Sequence, residues 1–471
     1  MHLPIIRWGK PYESLDKVHI HHFETGEPIA TVSQAIGGMV RKDLLQAKRA
    51  RAALRQIPAG ELLERVKQAG ELYANGVLPM GDAKQSPDDF VKQQSASTGM
   101  PESMCRANLE KNKFVLVEME NILLSLTRGL DLGVLGRGFG EERGVPISFQ
   151  AQAPVLGAVL PSNSPGVHTL WLPVIPMQLG LVLKPGSSEP WTPYRVASAF
   201  FEAGIPPEAI SIYPGPHEVG DAILNGCSKA MVFGGQETIN KYKNNPGVQP
   251  HGPGFSKIML GDDVVDHWRD YLEVMVESVV KNGGRSCINC SGIWVSRHGR
   301  DIADALAQEL AKIEVRSTTD PKAQLAAFTT PKMADAVNSM IESDMSHPAV
   351  EDMTAIYRKS PRLIKQARCD YLLPTVLYCK SADAPAANKE YMFPFVSVVE
   401  CPQDEMIERM GPTLVLTALT DDPSLKLDLL EAIHVDRLNI GRVPTSSLNW
   451  LQPHEGNIVE FLFRNRAYQT A

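Results

Sequence analysis

The sequence predicts an α/β protein built around a doubly wound, mostly parallel sheet, and three observations carry that reading. Short apolar runs alternate with helical stretches from about residue 153 to 250. The runs end in turns rich in Gly, Pro, Ser or Asn: SNSPG, KPGSSEP, YPGPHE and FGGQET. The same alternation returns, more loosely, after residue 250. Strand and helix alternating in this way build βαβ units with parallel strands, and ligands of such sheets bind at the carboxyl ends of the strands.

Taken in order, residues 40–125 read as helices. RKDLLQAKRARAALRQI and ELLERVKQAGELYANG space apolar residues three and four apart among charges. Residues 129–150 are glycine-rich and lack that period, which suits a link or a short strand excursion. APVLGAVLP is then a strand and SNSPG a turn. LWLPVIPMQLG can form a helix that Pro173 and Pro176 shorten or bend. LVLKP is a strand, WTPYRVASAFFEAG a helix opened by Pro and closed by Gly. ISIYPG and KAMVFGG are strands; HEVGDAILNG and QETINKYKNN are helices. Beyond residue 250, KIML and CSGIWVS are strands, while DYLEVMVESVVKN and DIADALAQELAKI are helices. NIVEFLFRNRAYQ, apolar and aromatic, reads as a terminal strand that pairs elsewhere in the chain or on another subunit.

Composition sets the outer bounds. A chain of 471 residues exceeds one ordinary hydrophobic core, so two or three domains are expected. With 43% hydrophobic and 21% charged residues it reads as an ordinary globular protein. A net charge of −7 leaves no basic excess to neutralise phosphates, which argues against a general nucleic-acid binder. MHLPIIRWGKPYESL lacks a basic lead and a long apolar core, so no secretory signal is expected. No uncharged apolar run reaches the roughly 18 residues a membrane span needs. Seven scattered cysteines do not suggest a disulfide framework and fit a reducing cytoplasm.

NGGRSCINC, residues 282–290, is the stretch richest in chemistry, and it admits three readings. A metal or redox C-x-x-C is the first. Zinc would need two further ligands, and no second C-x-x-C or H-x₃₋₅-H lies within finger spacing. A thioredoxin motif would start a helix after a strand, whereas this stretch follows a long helix and precedes a strand. Inert buried thiols are the second reading. A nucleophile is the third, and it explains more of the neighbours. Gly283 and Gly284 permit a bend at positive φ. A thiol on such a bend is accessible, and nearby N–H groups can receive an oxyanion. Arg285 could supply the electropositive setting that favours a thiolate, or simply be solvated.

Other candidates carry less by themselves. Lys184, in KPGSSEP, could hold a ribose or phosphate at a strand end, although a lone lysine in a turn is commonly just exposed. Gly234 and Gly235, before the helix that opens at Gln236, would leave helix N–H groups open to a pyrophosphate. GRGFG at 136–140 imitates part of a dinucleotide fingerprint, but EERGVPISF follows it where an apolar helix is needed. The sequence contains no G-x-S-x-G, H-E-x-x-H or P-loop.

Taken together and in register, these segments resemble the aldehyde dehydrogenase superfamily. VLPSNSPGV, LVLKPGSSEP, IYPG, MVFGGQET, NGGRSC and EYMFP match family segments in order and spacing from about residue 150 to 400. The resemblance implies a Rossmann-type NAD(P)-binding domain from residues 1–125 and 148–250. It further implies a catalytic domain over 251–435 and an oligomerisation arm from 126–147 and 436–471, in a homodimer or homotetramer. Cys287 then matches the catalytic thiol, and Asn163, after Pro161 and Ser162, the amide that helps hold the oxyanion. Lys184 matches the lysine at the adenosine ribose. Gly235 and Gln236 lie in the turn near the pyrophosphate, and Glu390 matches the glutamate at the nicotinamide ribose. The chemistry implied is attack of Cys287 on an aldehyde, hydride loss to NAD or NADP, and a thioester left on the protein.

Two departures narrow that expectation. Counted back from Asp262 and Asp263, HGPGFSKIMLGDD places His251 where hydrolytic members carry a glutamate that activates water. Loss of that base should slow water attack by roughly 10²–10⁴-fold. The resemblance therefore leans to the CoA-acylating type, in which a thiol takes the acyl group. STGMPESMCRANLE is similar to a stretch of bioluminescence-type fatty acyl-CoA reductases. The alternatives are His251 acting as the base with free acid as product, or a non-catalytic member that keeps the fold. Ser187 stands where NAD-preferring members often carry a ribose-binding glutamate, which opens NADP use.

Overall fold

The computed structural model describes residues 1–469 and separates into two compact units. The first comprises Met1–Ser97, Cys105–Gly252 and the chain from Asn449 on. The second comprises Thr98–Met104 and Pro253–Leu448.

The first unit is built on a seven-stranded sheet. Its order is Val248–His251, Lys229–Phe233, Val155–Val159, Gly180–Lys184, Ile210–Ile212, Ile5–Arg7, Lys10–Tyr12. The first five strands are parallel, and the last two join antiparallel. Every expected strand of the 153–250 stretch is present, because each is an apolar run buried on both faces. The helices Trp191–Glu202 and His217–Gly226 also form as expected. Val219, Ala222 and Ile223 of the latter pack with Val155, Val182 and Val232 of the sheet. Val155–Val159 has Gly180–Lys184 on one side and Lys229–Phe233 on the other. Strand order reverses there, so the turns after Val159 and Phe233 flank a topological switch point.

Two local features depart from the helical readings, while the glycine-rich stretch follows its reading as a strand excursion. LWLPVIPMQLG, residues 170–180, expected as a helix that Pro173 and Pro176 shorten or bend, holds only the three-residue 3₁₀ helix Leu172–Val174, just after another 3₁₀ helix, Pro165–Leu170, as the prolines remove backbone donors. A hairpin, Leu78–Met80 with Ala83–Gln85, interrupts the helical run, and its Gly81 has φ 60° and abuts the His2 carbonyl. The glycine-rich stretch holds a short helix, Gly133–Arg137, and two strands, Gly140–Glu142 and Val145–Ala151. Near the carboxyl end Ile458–Leu462 is helical, and the strand that follows, Phe463–Arg466, pairs antiparallel with Val145–Ala151 of the same chain.

The second unit holds another seven-stranded sheet. Its order is Val350–Asp352, Thr375–Cys379, Phe395–Glu400, Gly292–Val295, Lys257–Leu260, Thr413–Leu419, Val435–Ile440. All neighbours are parallel except the first pair. Alternation with period two divides the strands between two cores. Ile258, Leu260, Ile293 and Val295 pack with helices Leu272–Val280 and Gly299–Leu310. Met259 and Trp294 face the other way, into a cluster with Ala334, Ile341 and Met406.

Candidate active site

In the second unit, the helix Leu272–Val280 runs into a turn that carries Cys287. Asn282, Gly283 and Gly284 have φ of 54°, 65° and 68°, three left-handed residues in succession. Glycine adopts this conformation freely, and asparagine is the side chain that tolerates it best. The bend expected from the glycines is therefore present and begins one residue earlier. A Cβ at Gly284 would lie 2.4 Å from Phe393 C and Pro394 N, so the EYMFP segment is packed directly on the bend.

The loop is fastened by its own polar groups. Asn289 Nδ2 donates to Ser278 O (3.1 Å) and Lys281 O (2.9 Å), and its Oδ1 accepts from Ser286 N (2.9 Å). Ser256 Oγ donates to the Cys287 carbonyl at 2.8 Å. Gly254 is pressed so close that a Cβ there would lie 2.0 Å from the same oxygen. Of the seven cysteines only Cys287 escapes full burial. Cys290 is buried, its thiol donates to Gly292 O (3.3 Å), and burial pushes it up to about 12. It behaves as an inert thiol. Arg285 is not solvated: its guanidinium is buried, lies over the Phe328 ring, and donates to the carbonyls of Thr98 and Ala327.

Glu390 lies in the same unit. Its carboxylate accepts from Gly254 N (3.2 Å) and Phe255 N (2.5 Å). Burial pushes it up to about 7, against the opposing pull of those two donors. Lys257 is buried beside it, donates to Phe255 O (2.7 Å) and Thr413 Oγ1 (3.3 Å), and is pushed down to about 8 by desolvation.

In the first unit the strand-end turns carry the remaining residues. Pro161, Ser162 and Asn163 are partly buried and follow Val155–Val159. Ser162 Oγ accepts from Ser188 N (3.1 Å), and a Cβ at Gly186 would meet Pro161 O at 2.5 Å. The PSNSP and KPGSS turns are thus in contact. Lys184 ends its strand partly buried, and desolvation lowers its pKa. Ser187 is exposed. Gly235 is extended and exposed, with nothing within 4 Å of where a Cβ would stand; Gln236 beside it is exposed too. A buried network anchors the KPGSSEP turn: Glu189 accepts from Gln94 (2.8 Å) and Thr192 (2.7 Å) and is paired with His168 (2.8 Å), which accepts from Trp171 (3.1 Å).

His251 closes its strand, buried, with its ring stacked on Phe233 (centroids 4.7 Å apart). Its Nδ1 is in direct contact with the Glu455 carboxylate, whose backbone carbonyl accepts from Gln249 Nε2. Burial pushes the imidazole down to about 3, so it is held neutral. His251 and Glu455 line a small cavity with the apolar Ile122, Leu126, Pro173 and Trp450. Glu455 carries no local sequence signal; it reaches His251 only through the fold. Among the described residues no helix is long and apolar enough to cross a membrane.

Comparison with known proteins agrees with this geometry. Malonate-semialdehyde dehydrogenase 1 of Geobacillus kaustophilus (strain HTA426) is 23% identical over 261 residues, covering 53% of this chain. The match spans about half of that relative (52%). The fold matches an aldehyde dehydrogenase from Bacillus cereus solved with NAD+, at TM-score 0.77 and 15% identity, over 99% of this chain and 96% of that one. It also matches an NADP-dependent enzyme of E. coli, at TM-score 0.78 and 16% identity, over 99% and 97% of the two chains. The family model described as "Aldehyde dehydrogenase family" matches residues 12–456, and with the strand order and the Cys287 bend this places the chain in the aldehyde dehydrogenase family.

Proposed function

We propose that the protein is an NAD(P)-dependent aldehyde oxidoreductase that works through a thioester on Cys287 and exchanges its acyl group with CoA. The observation that carries this reading is the bend at 282–284, which presents the one cysteine that is not fully buried. Its thiolate adds to the aldehyde carbonyl, forming a carbon–sulfur bond and placing negative charge on oxygen. Asn163 is the side chain that the family resemblance assigns to that oxyanion. The first unit suits a dinucleotide: Lys184 ends a strand beside the switch point, and the open face of Gly235 leaves room for backbone to approach a pyrophosphate. Lys184, Ser187, Gly235 and Gln236 would hold a nicotinamide cofactor, and that group, when bound, would supply the hydride acceptor that oxidation to a thioester requires.

Release to a thiol is supported by His251, which replaces a carboxylate with a buried neutral ring. Hydrolysis to free acid is the second reading, and the Glu455 contact favours it. A carboxylate in contact with the ring is the kind of partner that orients a general-base imidazole. The apolar walls of the cavity around His251 fit an aldehyde with an apolar body.

Incubation with an aldehyde panel and NAD or NADP, with and without CoA, tests the proposal. Reduced cofactor should accumulate beyond one equivalent per site only with CoA, with acyl-CoA as product. Equal turnover without CoA, giving free acid, would establish the second reading instead.

A further inference from the structure

The residues behind Cys287 hold a feature that catalysis by the thiol does not itself explain. Phe255 has φ 45°, a left-handed conformation that costs a bulky side chain free energy. The peptide groups on both sides of it are gripped by charge. The Glu390 carboxylate accepts from the N–H groups of Gly254 and Phe255, at 3.2 and 2.5 Å. The buried Lys257 ammonium donates to the Phe255 carbonyl at 2.7 Å. Leu414 N donates to Gly254 O at 2.8 Å. The turn so held meets the nucleophile twice: Gly254 packs on the Cys287 carbonyl, and Ser256 Oγ donates to it at 2.8 Å. Phe393 and Pro394, three and four residues after Glu390, press on Gly284 at the other end of the loop.

We propose that Glu390 is a positioning residue for the nucleophile: with Lys257 it braces the left-handed turn at Phe255 that seats the carbonyl of Cys287. The family resemblance assigns this glutamate to the nicotinamide ribose, yet both of its oxygens here serve the turn. The inference rests on the reading of Cys287 as the nucleophile. It assigns no chemistry to Glu390, which acts through the backbone it holds.

The test uses the full chain without cofactor. Iodoacetamide alkylation of Cys287 is followed by peptide mass. Glu390→Gln should slow alkylation at least fivefold in the cofactor-free protein, where loss of a ribose contact has no effect. Removing a negative charge near a thiol would by itself favour the thiolate and speed alkylation, so slowing is the signature of lost positioning. Phe255→Gly relieves the left-handed strain, and in that background Glu390→Gln should cost less than twofold. Ser256→Ala leaves Glu390 and Lys257 in place, removes the donor to the Cys287 carbonyl together with the acceptor of Val415 N, and should slow alkylation in the same direction. It decides the matter if Glu390→Gln does not fold. Alkylation as fast as in the parent, in Glu390→Gln or in a Ser256→Ala protein standing alone, overturns the brace. A parent protein whose Cys287 resists alkylation overturns the nucleophile reading itself.

Discussion

The turn at Gly235 in the first unit and the turn at Cys287 in the second are built in opposite ways. Gly235, Gln236 and Ser187 are exposed, and a Cβ at Gly235 would touch nothing. Around Cys287 the backbone is tied from several sides: Asn289 binds the preceding helix end, Ser256 the Cys287 carbonyl, and Glu390 the supporting turn. The contrast suits two different tasks. A dinucleotide is large and brings its own hydrogen-bonding groups, which suits the open turn at Gly235. A nucleophilic sulfur has to be held at one place, within a fraction of an ångström, against a reacting carbon.

The largest effect expected from breaking this contrast is at the sulfur. Cys287→Ser should lower turnover by about 10³-fold or more in a steady-state assay of NAD(P) reduction. Paired alanine substitutions come next. Gly284→Ala forces a Cβ onto the backbone of Phe393 and Pro394 at φ 68°, and should cost about 1–3 kcal/mol in urea unfolding together with most of the activity. Gly235→Ala, in the open turn, should stay within about 0.5 kcal/mol of the parent and change only cofactor affinity.

The comparison also extends to pH dependence, where the two units should show opposite signs. Burial raises the Glu390 carboxyl from 4.5 to about 7, so the folded second unit holds that proton more tightly than the unfolded chain. Its contribution to stability falls as pH rises from about 4.5 to 7. Burial lowers His251 from 6.5 to about 3, so the unfolded chain holds the proton more tightly there. Stability of the first unit falls as pH drops below about 6.5. Melting temperatures between pH 4.5 and 8 should lose the first slope in Glu390→Gln and the second in His251→Gln.

How much of this was legible in the chain depends on how local each signal is. The strands of residues 153–250 were readable because an apolar run with a turn at its end is a complete local statement. So was the bend before Cys287, since only glycine and asparagine enter the left-handed region cheaply. Phe255 adopts the same conformation against its own preference, and distant groups, Glu390 and Lys257, hold it there. Arg285 looked like a surface charge beside the thiol, but carbonyls remote in sequence draw it inside. Glu455 meets His251 only because the chain beyond Asn449 returns to the first unit. In each of these cases partners far along the chain settle the role, and spacing alone carries no record of them.

The central claim is a covalent acyl group on Cys287, and trapping it is the most direct test. Enzyme mixed with an aldehyde and NAD(P) in the absence of CoA, quenched in acid within milliseconds to seconds and digested, should carry the acyl mass on the peptide that holds Cys287. One reduced cofactor should appear for each adduct, and addition of CoA before the quench should remove the adduct. Sustained aldehyde oxidation by Cys287→Ser, or an adduct on another residue, would contradict the account.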